Sequence, residues 1–195
     1  MSGDAREPGY FDTLYAADPD PWRFETSDYE RAKYADTLAT LPATRYGRAV
    51  EIGCSIGVLT EQLAARCDAV LGVDVAQAAL DRAAVRCGAL SHASFAHLRV
   101  PEAMPEGRFD LVVLSEVLYY FDPPTLQRLA AAVRTIASGD VVMVHWLGPT
   151  PDYPMTGDAA VEAFVAECTA WTSVTQQARR ADYRLDVLRV VPEWQ

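Results

Sequence analysis

The sequence predicts an α/β domain, a doubly wound and mostly parallel sheet whose last strand runs antiparallel. Three observations carry this. From Arg48 onward, short apolar runs alternate with helix-like segments of roughly 10–15 residues. The run inside FDLVVLSEVLYYF is continuously apolar, as a parallel strand covered on both faces requires. The closing stretch SVTQQARRADYRLDVLRVV divides into two strands at Arg180-Ala181-Asp182, a connection that suits an antiparallel hairpin.

Taken in order, residues 1–42 are expected to form a helical or lid-like segment and residues 43–195 the α/β core of a single domain, 1–195. In the first segment, Pro19 and Pro21 favour turns, and Thr26, Ser27 or Asp28 offers a helix N-cap. Good helix formers run from Tyr29 to Leu41, and Pro42 closes the helix. RAVEIG is the first strand, and GVLTEQLAARC is a helix with Val58, Leu59, Leu63 and Ala64 on one face. AVLGVDV is the second strand, followed by the helix AQAALDRAAVRC with Ala79, Leu80 and Ala83 inward. ASFAHLRV is a weaker third strand. The fourth lies in FDLVVLSEVLYYF, with the helix PTLQRLAAAVRTIA behind it. GDVVMVHW is the fifth strand and EAFVAECTAW a further helix before the hairpin. No internal repeat or long linker interrupts this order.

Composition removes several functions. The chain has 195 residues, 50% of them apolar, and a formal charge of −10. Its one close basic cluster is Arg179-Arg180 with Arg184, far short of the footprint that a nucleic-acid partner needs. The acidic balance also disfavours a polyanionic substrate. The start, MSGDAREPGYFDTLY, lacks a basic stretch followed by an apolar run, so no secretory signal is expected. No apolar stretch approaches the roughly 20 residues of a membrane helix. Cys54, Cys67, Cys87 and Cys168 form no CxxC pair, so buried free thiols, no bound metal and a cytoplasmic setting are expected.

The stretch VEIGCSIG concentrates the chemistry. Gly53 and Gly57 permit a sharp turn and close approach to a ligand, and the helix from Val58 points its N-terminal amides at the same place. Asp74 ends the second strand about 20 residues later, where its carboxylate can accept hydrogen bonds from two ribose hydroxyls. The pattern GxGxxG would need glycines where Ser55 and Val58 stand, which argues against a dinucleotide, and no GKS or GKT supplies a P-loop. Glu51 would repel a pyrophosphate but suits a ligand with an ammonium or sulfonium charge. S-adenosylmethionine carries both.

EIGCSIG with Asp74, then FDLVVLSEVLYYF, resembles the class I S-adenosylmethionine-dependent methyltransferases. DPDPWRFETSDYERAKY, EIGCSIGVLTEQLA and LSEVLYYF, in that order, are similar to the nodulation N-methyltransferase (NodS-like) family, over most of the chain. The resemblance implies a seven-stranded sheet with an antiparallel last strand, and S-adenosylhomocysteine as product. It implies a cofactor site at Glu51, Gly53, Cys54, Ser55, Gly57, Asp74, Val75, Arg99, Val100 and Ser115. Ser55 stands where many class I enzymes have a third glycine. The acid that often meets adenine after the third strand is replaced by Leu98, Arg99 and Val100, with none until Glu102, so backbone and apolar packing would hold the base. The implied acceptor is an amine of an amino sugar or its oligomer. Methylation of another small metabolite at oxygen or nitrogen, or cofactor binding without catalysis, are the alternatives.

Two side chains are candidates for proton handling. Glu116, at the end of the fourth strand, could orient an amine or take its proton, or simply favour a helix start. His145, ending the fifth, has a pKa suited to a base, or is structural. Tyr119, Tyr120 and Trp146 are expected near the acceptor mouth, one tyrosine packing and the other lining it, and Trp146 either stacking on a sugar face or packing. In the first segment, Trp22, Tyr29, Arg31, Lys33 and Tyr34 either close over the cofactor or cap the sheet, with Arg31 the first choice to bind its carboxylate. His92 and His97 receive no role.

Overall fold

The structure, a computed structural model, describes residues 8–191. The expected domain limits at 1 and 195, and the first residues of the segment read for a signal, lie outside them. Seven strands form one sheet in the order β3-β2-β1-β4-β5-β7-β6. Their ranges are β1 Tyr46–Ile52, β2 Cys67–Asp74, β3 Ala93–His97, β4 Phe109–Ser115, β5 Ala137–Trp146, β6 Thr172–Arg179 and β7 Tyr183–Val190. The strands β1 to β5 pair in parallel, whereas β7 is antiparallel to both β5 and β6. The hairpin therefore folds back: β7 enters the sheet beside β5, and β6 takes the edge.

Burial explains that choice. The β7 residues Leu185, Val187 and Leu188 are fully buried, while β6 is polar and mostly exposed, as an unpaired edge must be. The central strands β1, β4 and β5 are apolar on both faces because helices cover both. The helices are α1 Pro8–Ala17, α2 Asp28–Thr40, α3 Val58–Ala64, α4 Gln77–Arg86, α5 Pro123–Ile136 and α6 Gly157–Cys168. On α5, Leu126, Leu129, Ala130, Val133 and Ile136 pack against one sheet face with Phe164 of α6. On the other face, Leu59 and Leu63 of α3 join Ala49, Val70, Leu111 and Val142.

Local chemistry sets the helix starts. Ser27 caps α2, Asp122 caps α5 and Thr156 caps α6, each side chain accepting from a backbone N–H three residues on. The α6 start is five residues before the expected EAFVAECTAW, because Thr156 supplies the cap. Leu118–Tyr120, just beyond the end of the fourth strand, forms a 3-10 turn. The sequence reading contained no counterpart to α1.

The turn after β1 places the ligand end of the sheet. Gly57 has a φ of 78°, and a Cβ there would stand 2.8 Å from the Ala83 Cβ on α4. Gly57→Ala should therefore cost about 2 kcal/mol, combining left-handed strain with the clash, read as a lower urea midpoint at unchanged slope.

Candidate cofactor and acceptor cavity

A cavity of about 460 Å³ opens beyond the carboxyl ends of β1, β2, β4 and β5, where the strand order reverses. Gly53, Ser55, Asp74, Val75, Arg99, Val100, Ser115, Glu116, Tyr119, Tyr120, Trp146 and Trp22 all line it. Twelve of the residues singled out by sequence thus converge on one wall. Glu51 and Cys54 lie just behind, in a narrow crevice that shares Gly53, Ser55, Ser115 and Glu116 with the cavity.

The β1 turn is built around Asp74. Its Oδ2 accepts from Ser55 N–H at 2.8 Å and its Oδ1 from Ala76 N–H at 2.9 Å. Burial pushes its pKa up, while these backbone donors pull it down. Gly53 (φ 77°) and Ser55 (φ 51°) both occupy the left-handed region. At Gly53 a Cβ would press on Val117 at 3.0 Å. Ser55 tolerates its φ because its N–H is held by Asp74 and its hydroxyl meets the Tyr15 hydroxyl. Glu51 is 3% exposed and accepts from the Thr60 hydroxyl at 2.5 Å. Burial pushes its pKa up to about 8.

At the other end, Glu116 follows β4 with a φ of 55°. Its Oε1 accepts from Lys33 Nζ at 2.6 Å, and its Oε2 from Tyr119 Oη at 3.0 Å and Trp146 N–H at 2.9 Å. Burial pushes the carboxyl up, but the Lys33 charge and these donors outweigh it and hold it below the ordinary range. Glu116 is thus an ionised carboxylate with both oxygens engaged, a poor proton acceptor.

Three expectations need correction. His145 does not face the cavity. It is fully buried, and its Nε2 accepts from the Val117 and Leu118 N–H groups at 3.3 and 3.0 Å. Desolvation lowers its pKa to about 4, so the neutral ring pins the turn that carries Glu116 and Tyr119. Arg31 points to solvent and pairs with Asp28 at 2.7 Å, because helical geometry puts it on the face opposite Lys33. Gly57 underlies the turn and packs on Ala83, outside the cavity wall.

Lys33 takes the position expected of Arg31. Its side chain is 2% exposed, bridges Glu30 Oε1 at 3.0 Å and Glu116 Oε1 at 2.6 Å, and lies over the Tyr29 ring. Phe11, Tyr15, Phe24, Glu30 and Tyr153 also line the wall, and the sequence reading missed them. For Phe11 and Tyr15 the i, i+4 spacing was the available signal. Glu102 lies on the wall as well, between Arg99 and Arg128.

A family model described as Nodulation protein S (NodS) matches residues 13–143. This chain belongs to the NodS family. Nodulation protein S of Bradyrhizobium diazoefficiens (strain USDA 110) is 37% identical over 122 residues, 61% of this chain and 56% of its own. That of Sinorhizobium fredii (strain NGR234) is 30% identical over 156 residues, 80% of this chain and 66% of its own. The chain spans between 53% and 66% of the length of the curated NodS relatives it matches. The N-methyltransferase NodS from Bradyrhizobium japonicum WM9, solved with S-adenosylhomocysteine, superposes with a TM-score of 0.80. It does so at 24% identity over 95% of this chain and 99% of that one, which shows a shared class I, Rossmann-like methyltransferase fold. The NodS match runs from α1 into β5, so it includes the β1 turn, Asp74, Lys33 and Glu116. Among the described residues, no helix is long and apolar enough to cross a membrane.

Glu51 provides a test of this electrostatic picture. A carboxyl whose pKa is raised by folding weakens the fold above its unfolded pKa, the penalty growing until pH passes the folded value of about 8. Wild-type thermal stability should fall between about pH 4.5 and pH 8 through this group. Glu51→Gln, which retains an acceptor for Thr60, should gain on wild type across that window and match it at lower pH.

Proposed function

We propose that this NodS-family chain is an S-adenosylmethionine-dependent N-methyltransferase acting on an amine of a small-molecule acceptor, with an amino sugar the first candidate. The observation that carries this reading is Asp74. Its carboxylate ends β2 on the cavity wall, oriented by two backbone N–H groups and facing the Gly53 turn. Each oxygen keeps a further lone pair for a hydroxyl.

The residues present fit the cofactor. Asp74 would receive ribose hydroxyls, and Glu51 and Glu116 would face positive charge. Lys33 has three N–H donors and commits two to carboxylates, leaving one for a ligand carboxylate. Trp22 and Tyr15, edge to face at 5.7 Å, form an apolar flank. Val75, Leu98 and Val100 supply the apolar surface for a base in place of an acid. When bound, the cofactor supplies a methyl group activated by its sulfonium charge.

The protein's task is then alignment. The β1 turn and Asp74 fix one end of the cavity, while Tyr119, Tyr120 and Trp146 shape the other around an acceptor. Holding the reactants in line converts an encounter in solution into a positioned attack. The helix pair α1 and α2 places Phe11, Tyr15 and Lys33 in the wall, which excludes water from the reacting centre.

Calorimetric titration with S-adenosylhomocysteine tests the reading. Wild type should bind in the micromolar range, and folded Asp74→Ala should bind at least tenfold more weakly, about 1.4 kcal/mol. A folded wild type that does not bind would overturn it.

A further inference from the structure

Among the described residues, four carboxylates line the cavity, and three have both oxygens committed. Asp74 is held by two backbone donors, Glu116 by Lys33, Tyr119 and Trp146, and Glu102 by Arg99 and Arg128. Glu30 is different. Its Oε1 accepts from Lys33 at 3.0 Å, but its Oε2 is buried without a hydrogen bond. The adjacent Tyr29 hydroxyl is likewise buried without a partner, and the Tyr29 ring meets the edge of Trp146 at 5.8 Å. Leaving such groups unmet in the native wall is costly unless a ligand meets them.

We infer that Glu30 binds the acceptor's ammonium group and takes its proton through Oε2 before methyl transfer. This role rests on the N-methyltransferase reading above. The chemistry requires some such group, because an alkylammonium has no lone pair with which to attack. An acceptor R–NH3+ passes one proton to Oε2, leaving R–NH2 and a neutral carboxylic acid. The nitrogen lone pair then forms the N–CH3 bond while the C–S bond breaks, its electron pair remaining on sulfur. The product nitrogen carries the positive charge, and the Glu30 proton leaves to solvent when product departs.

The surroundings suit the task. Lys33 and Tyr34 face Glu30 from α2, and Glu116 faces it from the end of β4. Burial, reinforced by the Glu116 charge, pushes the Glu30 pKa up against the opposing pull of Lys33 and the Tyr34 hydroxyl. That brings its basicity nearer the working pH, where a general base is effective. While Glu30 is protonated, Lys33 keeps its partner in Glu116 at 2.6 Å and is never left as an isolated buried charge. His145 cannot replace Glu30, because its Nε2 serves two backbone donors.

The experiment compares wild type, Glu30→Gln and Glu30→Asp, all checked by thermal melting and S-adenosylhomocysteine titration. Methyl transfer to glucosamine and to benzylamine is followed from pH 6 to 10. Binding of the same amines to the S-adenosylhomocysteine complex is followed by calorimetry. Glu30→Gln should keep its S-adenosylhomocysteine affinity within about twofold, lose about 100-fold in kcat at pH 7 and regain rate as the amine itself deprotonates. Its amine affinity should fall about tenfold, and Glu30→Asp should restore part of both. A Glu30→Gln enzyme within threefold of wild type, or a loss that does not vary with pH, overturns the inference. Collapse of both variants does so too, assigning Glu30 to the fold. A wild type that fails to bind S-adenosylhomocysteine removes the methyltransferase reading and this one with it, and that result is distinct from a methylating wild type indifferent to Glu30.

Discussion

The ammonium of Lys33 is the point on which the ligand end of this protein turns. It arrives from the first third of the chain on α2 and sits between Glu30 of its own helix and Glu116, 83 positions further on at the end of β4. Burying a lysine alone would be prohibitive, and burying the two glutamates without it equally so. Lys33 and the ionised Glu116 form the compensated pair, with Glu30 sharing the same ammonium, and stripping Lys33 or Glu116 of the other costs about 3–5 kcal/mol. Helix α2 is therefore fastened to the sheet by the same residues that line the cavity. A second fastening, Asp36 with Arg180 and Tyr183, ties the exposed side of α2 to the β6–β7 turn.

Glu116 completes that arrangement at some conformational expense. Its left-handed backbone and that of Ser55 are unfavourable for residues with a Cβ. Three donors on the Glu116 carboxylate and two backbone N–H groups on the His145 ring over-determine the turn after β4. Asp74 does the same for the turn after β1. Each strained turn is held by a buried polar side chain from elsewhere in the sheet, and the two turns lie side by side, Gly53 against Val117, at the cavity wall.

The charges on the wall divide by their partners. Glu116 is ionised because a cation reached it; Glu51, more deeply buried and lacking one, is pushed towards its neutral form. Glu30 lies between, sharing a lysine that Glu116 holds more closely. Three carboxyls of nearly the same chemistry thus have different proton affinities, set by who their neighbours are. The proposed amine methylation, which brings in a cation and releases a proton, would use such differences directly.

Much of this was legible in the sequence. Alternating strand and helix signals, the continuous apolar run of β4 and the short β6–β7 connection determined the sheet and its antiparallel close, because hydrophobic periodicity is a local property. The glycines of the β1 turn and Asp74 were legible because their spacing reports backbone conformation. What the tertiary structure decided were the long-range choices. Helix α1, only ten residues long, is stable through packing against the rest of the fold and not by its own propensity, so the i, i+4 pair Phe11 and Tyr15 was a weak sign on its own. Lys33 in place of Arg31 depended on which face of α2 met the sheet. His145 went under the floor of the cavity because the Val117 and Leu118 N–H groups, at the entry to the 118–120 turn, needed an acceptor there. The sequence by itself determined which residue types reach the carboxyl end of the sheet; only the folded structure decided which of them meet a charge, which meet a backbone amide and which remain free for a ligand.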